Sequence, residues 1–189
     1  MKKILCLVLA LSMLCCFAAC RKGSDSDSKK GEIDKYAKNG EIPEYGVKLG
    51  SSADSVIEYY NDLADKEDNQ DLVLTQYEGN TAVNLMNGVQ SFYYEKQHAD
   101  KGVSVFAVTG GEAFGFELGN TTTKSDVLER LAAEYTETTA ATEQLYFLPG
   151  TVDGAEVITC HFDKIRLEFF FFEDFLSAVC LTNTEYWTD

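Results

Sequence analysis

Apolar and polar positions follow a helical period in two places along the chain, and the same short motif introduces both. Residues 45–63 read YGVKLGSSADSVIEYYNDL and residues 114–131 read FGFELGNTTTKSDVLERL. Each copy opens on aromatic-Gly-apolar-charged-Leu-Gly and continues through small hydroxyl residues, which are typical of helix starts. The pattern predicts a short strand and then an amphipathic helix in each copy.

Both predicted helices have a cap and one apolar face. Ser52 and Thr123 are the expected N-caps, and Asp126 approximates a capping box with Thr123. The apolar residues on one face are Val56, Ile57, Tyr60, Leu63 and Ala64 in the first helix, and Val127, Leu128, Leu131, Ala132 and Tyr135 in the second. Each helix is expected to bury one stripe.

Segments that alternate like strands follow each helix. After the first helix they lie near residues 72–77, 82–86, 90–95 and 103–109, with a polar connector over 96–102. After the second they lie near residues 144–148, 157–162, 165–172 and 175–183. Because the same order occurs twice, the sequence predicts an α+β fold of two tandem modules, residues 42–111 and 112–189. Each module would hold a short strand, a helix and an antiparallel meander of about four strands.

The last three strands can be aligned by counting from two-residue turns at 163–164 and 173–174. One face then carries the residues expected to pack on the helix: Ile158, Cys160, Phe162, Ile165, Leu167, Phe169, Phe171, Leu176, Ala178, Cys180 and Thr182. In this alignment Cys160 and Cys180 both flank Leu167. Their α-carbons would be about 9.6 Å apart, beyond the roughly 7 Å that a disulfide spans. We therefore predict two buried free thiols.

The opposite face of these strands is too apolar to lie wholly in water. It carries Phe170, Phe172 and Phe175, flanked by Arg166 and His161. Aromatic anchors with a polar rim are typical of protein-binding surfaces.

Two further observations bear on that face. Tyr93, in the strand near residues 90–95, points away from its neighbours and is a binding candidate in the first module. The alternative is that the face is covered, either by the other module or by the tail that contains Tyr186 and Trp187.

The first residues form a predicted signal peptide over 1–19. Lys2 and Lys3 precede a short apolar run that ends in small residues, which favours an exported leader over a membrane span. The Phe-Ala-Ala-Cys ending resembles a bacterial lipobox, which implies that Cys20 becomes the lipid-modified first residue. The alternative is ordinary cleavage with Cys20 unmodified. By this reasoning the protein is extracytoplasmic and lipid-anchored to the cell membrane, or to the outer membrane in a cell with two.

Residues 20–41 are rich in Gly, Ser, Asp and Lys, and the sequence predicts a flexible linker there. A basic cluster near the anchor favours contact with anionic headgroups. Its members are Arg21, Lys22, Lys29, Lys30, Lys35 and Lys38. The alternative is a solvated tether in which acidic residues offset these charges.

The chain is strongly acidic. Without Lys2 and Lys3 it keeps 14 basic against 31 acidic residues, a formal net charge of −17. Nucleic acid is therefore an unfavourable partner, because its phosphates carry the same sign. Of six cysteines, three leave with the signal peptide and Cys20 carries the anchor, so Cys160 and Cys180 remain in the folded part.

The sequence holds no motif typical of an enzyme. Phosphate-binding loops, dinucleotide fingerprints and nucleophile elbows are missing from it, and its two histidines have no metal-ligand spacing. We expect no cofactor, no metal and no catalytic residue. A hydrolase would need a titratable pair in a pocket, for which His161 with Glu168 is the candidate.

The repeated opening, followed by a helix and an antiparallel sheet, resembles the superfamily that includes the assembly lipoprotein BamE and the beta-lactamase inhibitory protein. The second of these is itself a tandem duplication. The resemblance covers most of the mature chain and implies a protein-binding, non-enzymatic role through the sheet and adjoining loops. No individual contact residue transfers, the disulfides expected in the inhibitor's repeats are missing, and inhibition of a beta-lactamase is not implied.

Two functions are therefore expected from the sequence. The first is a non-enzymatic lipoprotein that binds an envelope or secreted protein through sheet-face aromatics or loops. The second is a small-ligand carrier or sensor that uses a cleft between the modules. A cleft with convergent polar groups would favour the carrier, and a broad open sheet would favour the protein binder.

Overall fold

A computed structural model describes residues 30–139 and 154–187 of the chain. Within these ranges the helices are α1 (Glu32–Lys38), α2 (Ala53–Glu67) and α3 (Lys124–Arg130), with 3-10 turns at Gln70–Leu72 and Lys96–Lys101. The strands are β1 (Thr75–Glu78), β2 (Ala82–Met86), β3 (Gln90–Glu95), β4 (Val105–Val108), β5 (Glu112–Ala113), β6 (Phe116–Glu117), β7 (Tyr135–Thr139), β8 (Glu156–Phe162), β9 (Ile165–Phe172) and β10 (Phe175–Asn183).

Eight of these strands form one antiparallel sheet, in the order β1-β2-β3-β4-β10-β9-β8-β7. A meander of four strands follows α2, and a second meander of four strands follows α3. The last strands of the two meanders, β4 and β10, pair at the centre of the sheet. The remaining strands, β5 and β6, form a small separate hairpin. The fold is α+β, as the sequence predicts.

The helices pack on one face of the sheet, which we call the helix side. Val56 and Tyr60 of α2 are buried there, and the ring of Tyr60 lies 5.5 Å from that of Phe92 in β3. Phe92 in turn stacks on Phe106 of β4 with 4.5 Å between ring centroids. The principal core therefore lies between α2 and the strands β2 to β4, and it continues under α1 to β8 and β9.

The predicted helix caps are confirmed. The Ser52 side chain accepts a hydrogen bond from the amide of Ser55, and Thr123 and Asp126 form a reciprocal capping box. The second helix is nevertheless shorter than predicted, because α3 ends at Arg130 and Tyr135 begins β7. Residues 135–139 read YTETT, and aromatic and β-branched residues favour a strand that can pair with β8.

Residues 32–41 are ordered, which corrects part of the predicted flexible linker. Ile33 and Ala37 are fully buried one helical turn apart on α1, and they pack against β8 and β9. The amide of Gly31 also donates to the carbonyl of Arg130 at 3.1 Å. Two apolar residues at helical spacing are enough to bury this short segment despite its polar composition.

The bounds of the strands agree with the predictions more closely for β2 and β3 than for the residues that precede them in the chain. Strands β2 and β3 have the predicted bounds, whereas β1 begins at Thr75, after the 3-10 turn. The segment between Gly46 and Gly50 forms a single bridge, Glu41 with Lys48, in place of the predicted strand. The predicted strand near 144–148 lies outside the described residues.

A β-bulge in β10 overturns part of the predicted side-chain alternation. Both two-residue turns form as predicted, so Phe162 pairs with Ile165 and Phe172 with Phe175. Between Leu176 and Ala178 the pairing shifts by one residue, because Ser177 is the extra residue of the bulge. The shift sends the rest of β10 to the opposite faces from those predicted.

Three residues predicted to lie on the helix side, Ala178, Cys180 and Thr182, therefore face away from it. Val179 and Leu181 take the helix-side positions. Cys160 and Cys180 are free and buried, as predicted. The predicted geometry was wrong, however: Cys160 faces the helix side and Cys180 faces the other side, so the sheet itself separates the thiols.

Candidate binding surface

A row of side chains crosses the sheet on the face away from the helices. Its members lie directly opposite one another on seven adjacent strands: Tyr77, Asn84, Tyr93, Val105, Thr182, Arg166 and His161. With about 4.8 Å between strands, this cross-sheet row is about 29 Å long. It brings together residues that are up to 105 positions apart in the chain.

The ends of the cross-sheet row are accessible and its middle is buried. Tyr77 on the edge strand β1 is 55% exposed, and His161 at the other end is also exposed. In the middle, Val105 and Thr182 are fully buried.

Two predicted binding residues are buried on this face and cannot form an exposed patch. Phe170 is 3% exposed and packs in a cluster with Val157, Ala178 and Cys180. Tyr93 is 8% exposed, and its ring lies 5.9 Å from the ring of Trp187. The C-terminal segment that carries Trp187 thus covers part of the sheet face, in agreement with the alternative given above.

The other predicted binding residues lie in two separate places. Phe172 is 39% exposed and pairs with the half-buried Phe175 at one end of β9. Arg166, which lies opposite His161, is at the other end of β9. Arg166 and Phe172 are six positions apart along the strand, which is about 20 Å. The phenylalanines therefore have no adjacent Arg166–His161 rim.

Arg166 forms an ion pair along its own strand. Its Nε lies 3.1 Å from a carboxylate oxygen of Glu168, and both side chains are mostly buried. In the sheet, Glu168 lies opposite Thr159 and Cys180, and His161 lies opposite Arg166.

The aromatic end of the cross-sheet row borders a cavity of about 480 Å³. Strands β1, β2 and β3 and the tail residue Trp187 line it, and we call it the β1–β3 cavity. Tyr77, Tyr93 and Trp187 supply its aromatic surface, and Glu78 and Glu95 supply carboxylates. Most of the lining comes from the first predicted module, and Trp187 comes from the second.

The polar side chains that line the β1–β3 cavity include the two carboxylates of Glu78 and Glu95 and the amide of Asn84. Glu95 accepts a hydrogen bond from the side chain of Gln97, and Glu78 lies 3.3 Å from Lys96. Asn84 donates from Nδ2 to the sulfur of Met86 at 3.2 Å, while its Oδ1 is buried with no hydrogen-bond partner. A buried acceptor without a partner is costly, which favours a ligand or water that donates to it.

A second cavity, of about 400 Å³, lies on the helix side between α1, α3 and the β5–β6 hairpin. The hairpin turn there holds Phe114 at a φ of 55°, which is strained for a residue with a side chain, and Gly115 at 68°, which a glycine adopts freely. Glu44 accepts from the amides of Phe114 and Gly115 at 2.9 and 2.6 Å. Arg130 donates to the carbonyls of the same two residues at 2.6 and 3.3 Å. We call this arrangement the turn clamp.

The thiol of Cys160 is a poor nucleophile. Burial, and then the nearby Asp34 carboxylate, raise the pKa of Cys160 to about 11. A buried thiol with a raised pKa has little of the thiolate form that acts as a nucleophile. Across residues 30–139 and 154–187, no group of three His, Cys, Asp or Glu side chains is placed to hold a metal ion. None of the described helices is long and apolar enough to cross a membrane.

Sequence reasoning missed the β1–β3 cavity and the turn clamp. Tyr77 and Asn84 lie in strands that were predicted, but their place beside Trp187 depends on strand order. Glu44 and Gly115 are 71 positions apart, so no local pattern indicates their contact. Cys20, the predicted lipidation site, lies outside the described residues.

Comparison with known proteins adds no relative to this description. No family model, curated protein or solved structure matches the chain.

Proposed function

We propose that the chain is a non-enzymatic extracytoplasmic lipoprotein that is anchored through Cys20 and binds another protein with the sheet face away from the helices. The cross-sheet row carries this proposal. It combines exposed aromatic and imidazole side chains at its ends with a buried, rigid middle. A rigid antiparallel sheet positions such side chains without the entropic cost of ordering a loop.

The titratable groups on this face support binding rather than chemistry. Arg166 and Glu168 form an ion pair with each other on this face. Catalytic sites instead hold a base within reach of a nucleophile in a pocket. The exposed edge residue Tyr77 has the amphipathic character that is enriched in protein interfaces.

We also propose that the two meanders are copies of one unit, over residues 42–111 and 112–189. Helix followed by four antiparallel strands occurs in both, and the strand order is symmetric about the β4–β10 pair. This order supports the resemblance to the superfamily of BamE and the beta-lactamase inhibitory protein. Co-expression of the two segments as separate chains tests the unit, because β4 and β10 should reassemble them. Failure of the segments to co-purify would count against it.

The anchor is tested by metabolic labelling with an alkyne fatty acid. The wild-type chain should take up label and fractionate with membranes, whereas Cys20→Ala should do neither. Label retained on Cys20→Ala would show that the lipid is elsewhere.

The binding face is tested by affinity capture from solubilised envelope with three baits. Tyr77→Ala and His161→Ala truncate the ends of the cross-sheet row. Tyr135→Ala is a matched control, because Tyr135 lies on the other edge strand, is 43% exposed, and is on the helix side opposite Cys160. We expect the first two variants to lose a partner that the control retains. Equal recovery by all three would exclude this face.

A small-ligand carrier is the second candidate, and the β1–β3 cavity favours it. Its volume of about 480 Å³ lies in the range of small-molecule pockets. A carrier would bind a small molecule whose affinity depends on Tyr77 and not on His161, because His161 lies six strands away from β1.

A further inference from the structure

The lining of the β1–β3 cavity is rich in groups that attract cations. Its aromatic surface comes from Tyr77, Tyr93 and Trp187, and the rings of the last two meet edge to face at 65°. The face of an aromatic ring carries partial negative charge and attracts cations. The carboxylates of Glu78 and Glu95 add formal negative charge.

None of the described residues that line the β1–β3 cavity is basic. Lys96, which is not part of the lining, forms an ion pair with Glu78 at 3.3 Å. The buried Oδ1 of Asn84 is an acceptor that no group in the structure satisfies. Acceptors, carboxylates and ring faces together are complementary to a donor-rich cation.

In the turn clamp, the same kinds of groups surround a cation that belongs to the chain itself. The guanidinium of Arg130 lies 4.2 Å from the centroid of the Phe116 ring and donates to two carbonyls. Glu32, Glu44 and Glu112 line the same cavity. Aromatic, carbonyl and carboxylate groups thus surround a guanidinium on the helix side, and the β1–β3 cavity has a similar set of groups around open space.

We propose that the β1–β3 cavity binds the guanidinium or ammonium group of a basic side chain on the partner protein. This inference rests on the proposed protein-binding function. The formal net charge of −15 favours a basic partner and would speed its approach. One arginine inserted beside Tyr77 would donate to Asn84 Oδ1 and stack on the aromatic surface.

Trp187 provides a direct measurement, because it is the only tryptophan in the sequence. The full-length lipoprotein in detergent is titrated with N-acetyl-arginine amide at constant ionic strength, and Trp187 fluorescence is recorded. N-acetyl-citrulline amide is the neutral control of the same shape. We expect a saturable change with the arginine derivative and none with the citrulline derivative.

Two variants test the lining. Tyr77→Ala should weaken binding about 3- to 30-fold, the range of a cation–π contact, and Asn84→Leu should weaken it by loss of an acceptor. Tyr135→Ala should bind as the wild type does. Tyr77 and Tyr135 are both more than a third exposed, so their variants are expected to fold, and matching thermal transitions confirm it.

Several results would overturn the inference. These are no saturable response to the arginine derivative, an equal response to citrulline, or unchanged affinity in Tyr77→Ala. Binding of tetramethylammonium alone, with no response to arginine or lysine amides, would assign the cavity to a small organic cation. If the titration fails while capture still depends on Tyr77, the proposed function stands and the cation specificity falls. If the titration succeeds while capture ignores Tyr77, the cavity binds cations without serving the partner.

Discussion

The two faces of the sheet differ in what they do with polar groups. On the helix side, polar side chains complete the fold: Glu44 and Arg130 secure a strained turn, and Ser52 and Thr123 cap helices. On the other face, polar and aromatic side chains form a row that ends in exposed residues and a cavity. The candidate site is therefore indicated by the exposed ends of the row and the aromatic lining of the β1–β3 cavity, because buried polar atoms without a partner occur on both faces, such as Tyr60 Oη and Asn84 Oδ1.

The largest expected effect comes from disturbing the register that assigns residues to the two faces. Deletion of Glu168 removes one residue from β9, which pairs with β8 on one side and β10 on the other, so side chains after it would change face. We expect a loss of more than about 4 kcal/mol in the free energy of unfolding, or no folded protein. Deletion of Ser177 only removes the bulge and should cost much less. Chemical denaturation of both variants measures the difference, and equal losses would contradict the assigned bulge.

The next largest effect is the difference in stability between truncating a buried and an exposed phenylalanine on the face away from the helices. Phe170→Ala should cost about 3–5 kcal/mol of unfolding free energy, because the ring is 3% exposed. Phe172→Ala, two residues along the same face, should cost about 1 kcal/mol or less, because that ring is 39% exposed. Thermal or urea unfolding tests both. A small loss in Phe170→Ala would mean that Phe170 is accessible after all.

A smaller effect is expected for the turn clamp on the helix side. Glu44→Ala removes the carboxylate that accepts two amides of the strained turn, and we expect a loss of about 1–2 kcal/mol. Glu41→Ala is the matched control in the same loop, since its pair with Lys48 is at 3.5 Å and exposed. The control should change stability by about 0.5 kcal/mol or less. Urea unfolding followed by fluorescence measures the stability of both variants. Equal losses in the two would show that the turn clamp does not stabilise the fold.

The smallest effect is the pH dependence that the buried Cys160 thiol gives to the free energy of unfolding. The pKa of Cys160 is raised to about 11 by burial, above its ordinary value near 9. Below about pH 8 the thiol is protonated in both states and contributes no pH dependence. Between pH 9 and 11 the unfolded chain releases the proton first, so stability falls as pH rises, by about 1 kcal/mol up to pH 10. Cys160→Ala should lose that part of the slope, and an unchanged slope would show that other groups cause it.

Local pattern predicted the elements that local interactions stabilise. The caps at Ser52 and Thr123, the bounds of β2 and β3 and the two tight turns follow from neighbouring residues alone. The predictions failed where distant contacts decide. Helix α1 forms because β8 and β9 bury Ile33 and Ala37, and residues 135–139 become a strand because β8 offers an edge.

The amino-acid sequence by itself determined the α+β class, the acidic charge and the alternation of β8 and β9. Tertiary structure alone decided the faces of β10, since one extra residue at Ser177 reverses every side chain after it. It also decided the candidate site. The cross-sheet row and the β1–β3 cavity exist because strand pairing places Tyr77 and Asn84 beside the distant Trp187. Residue type and spacing do not predict that pairing.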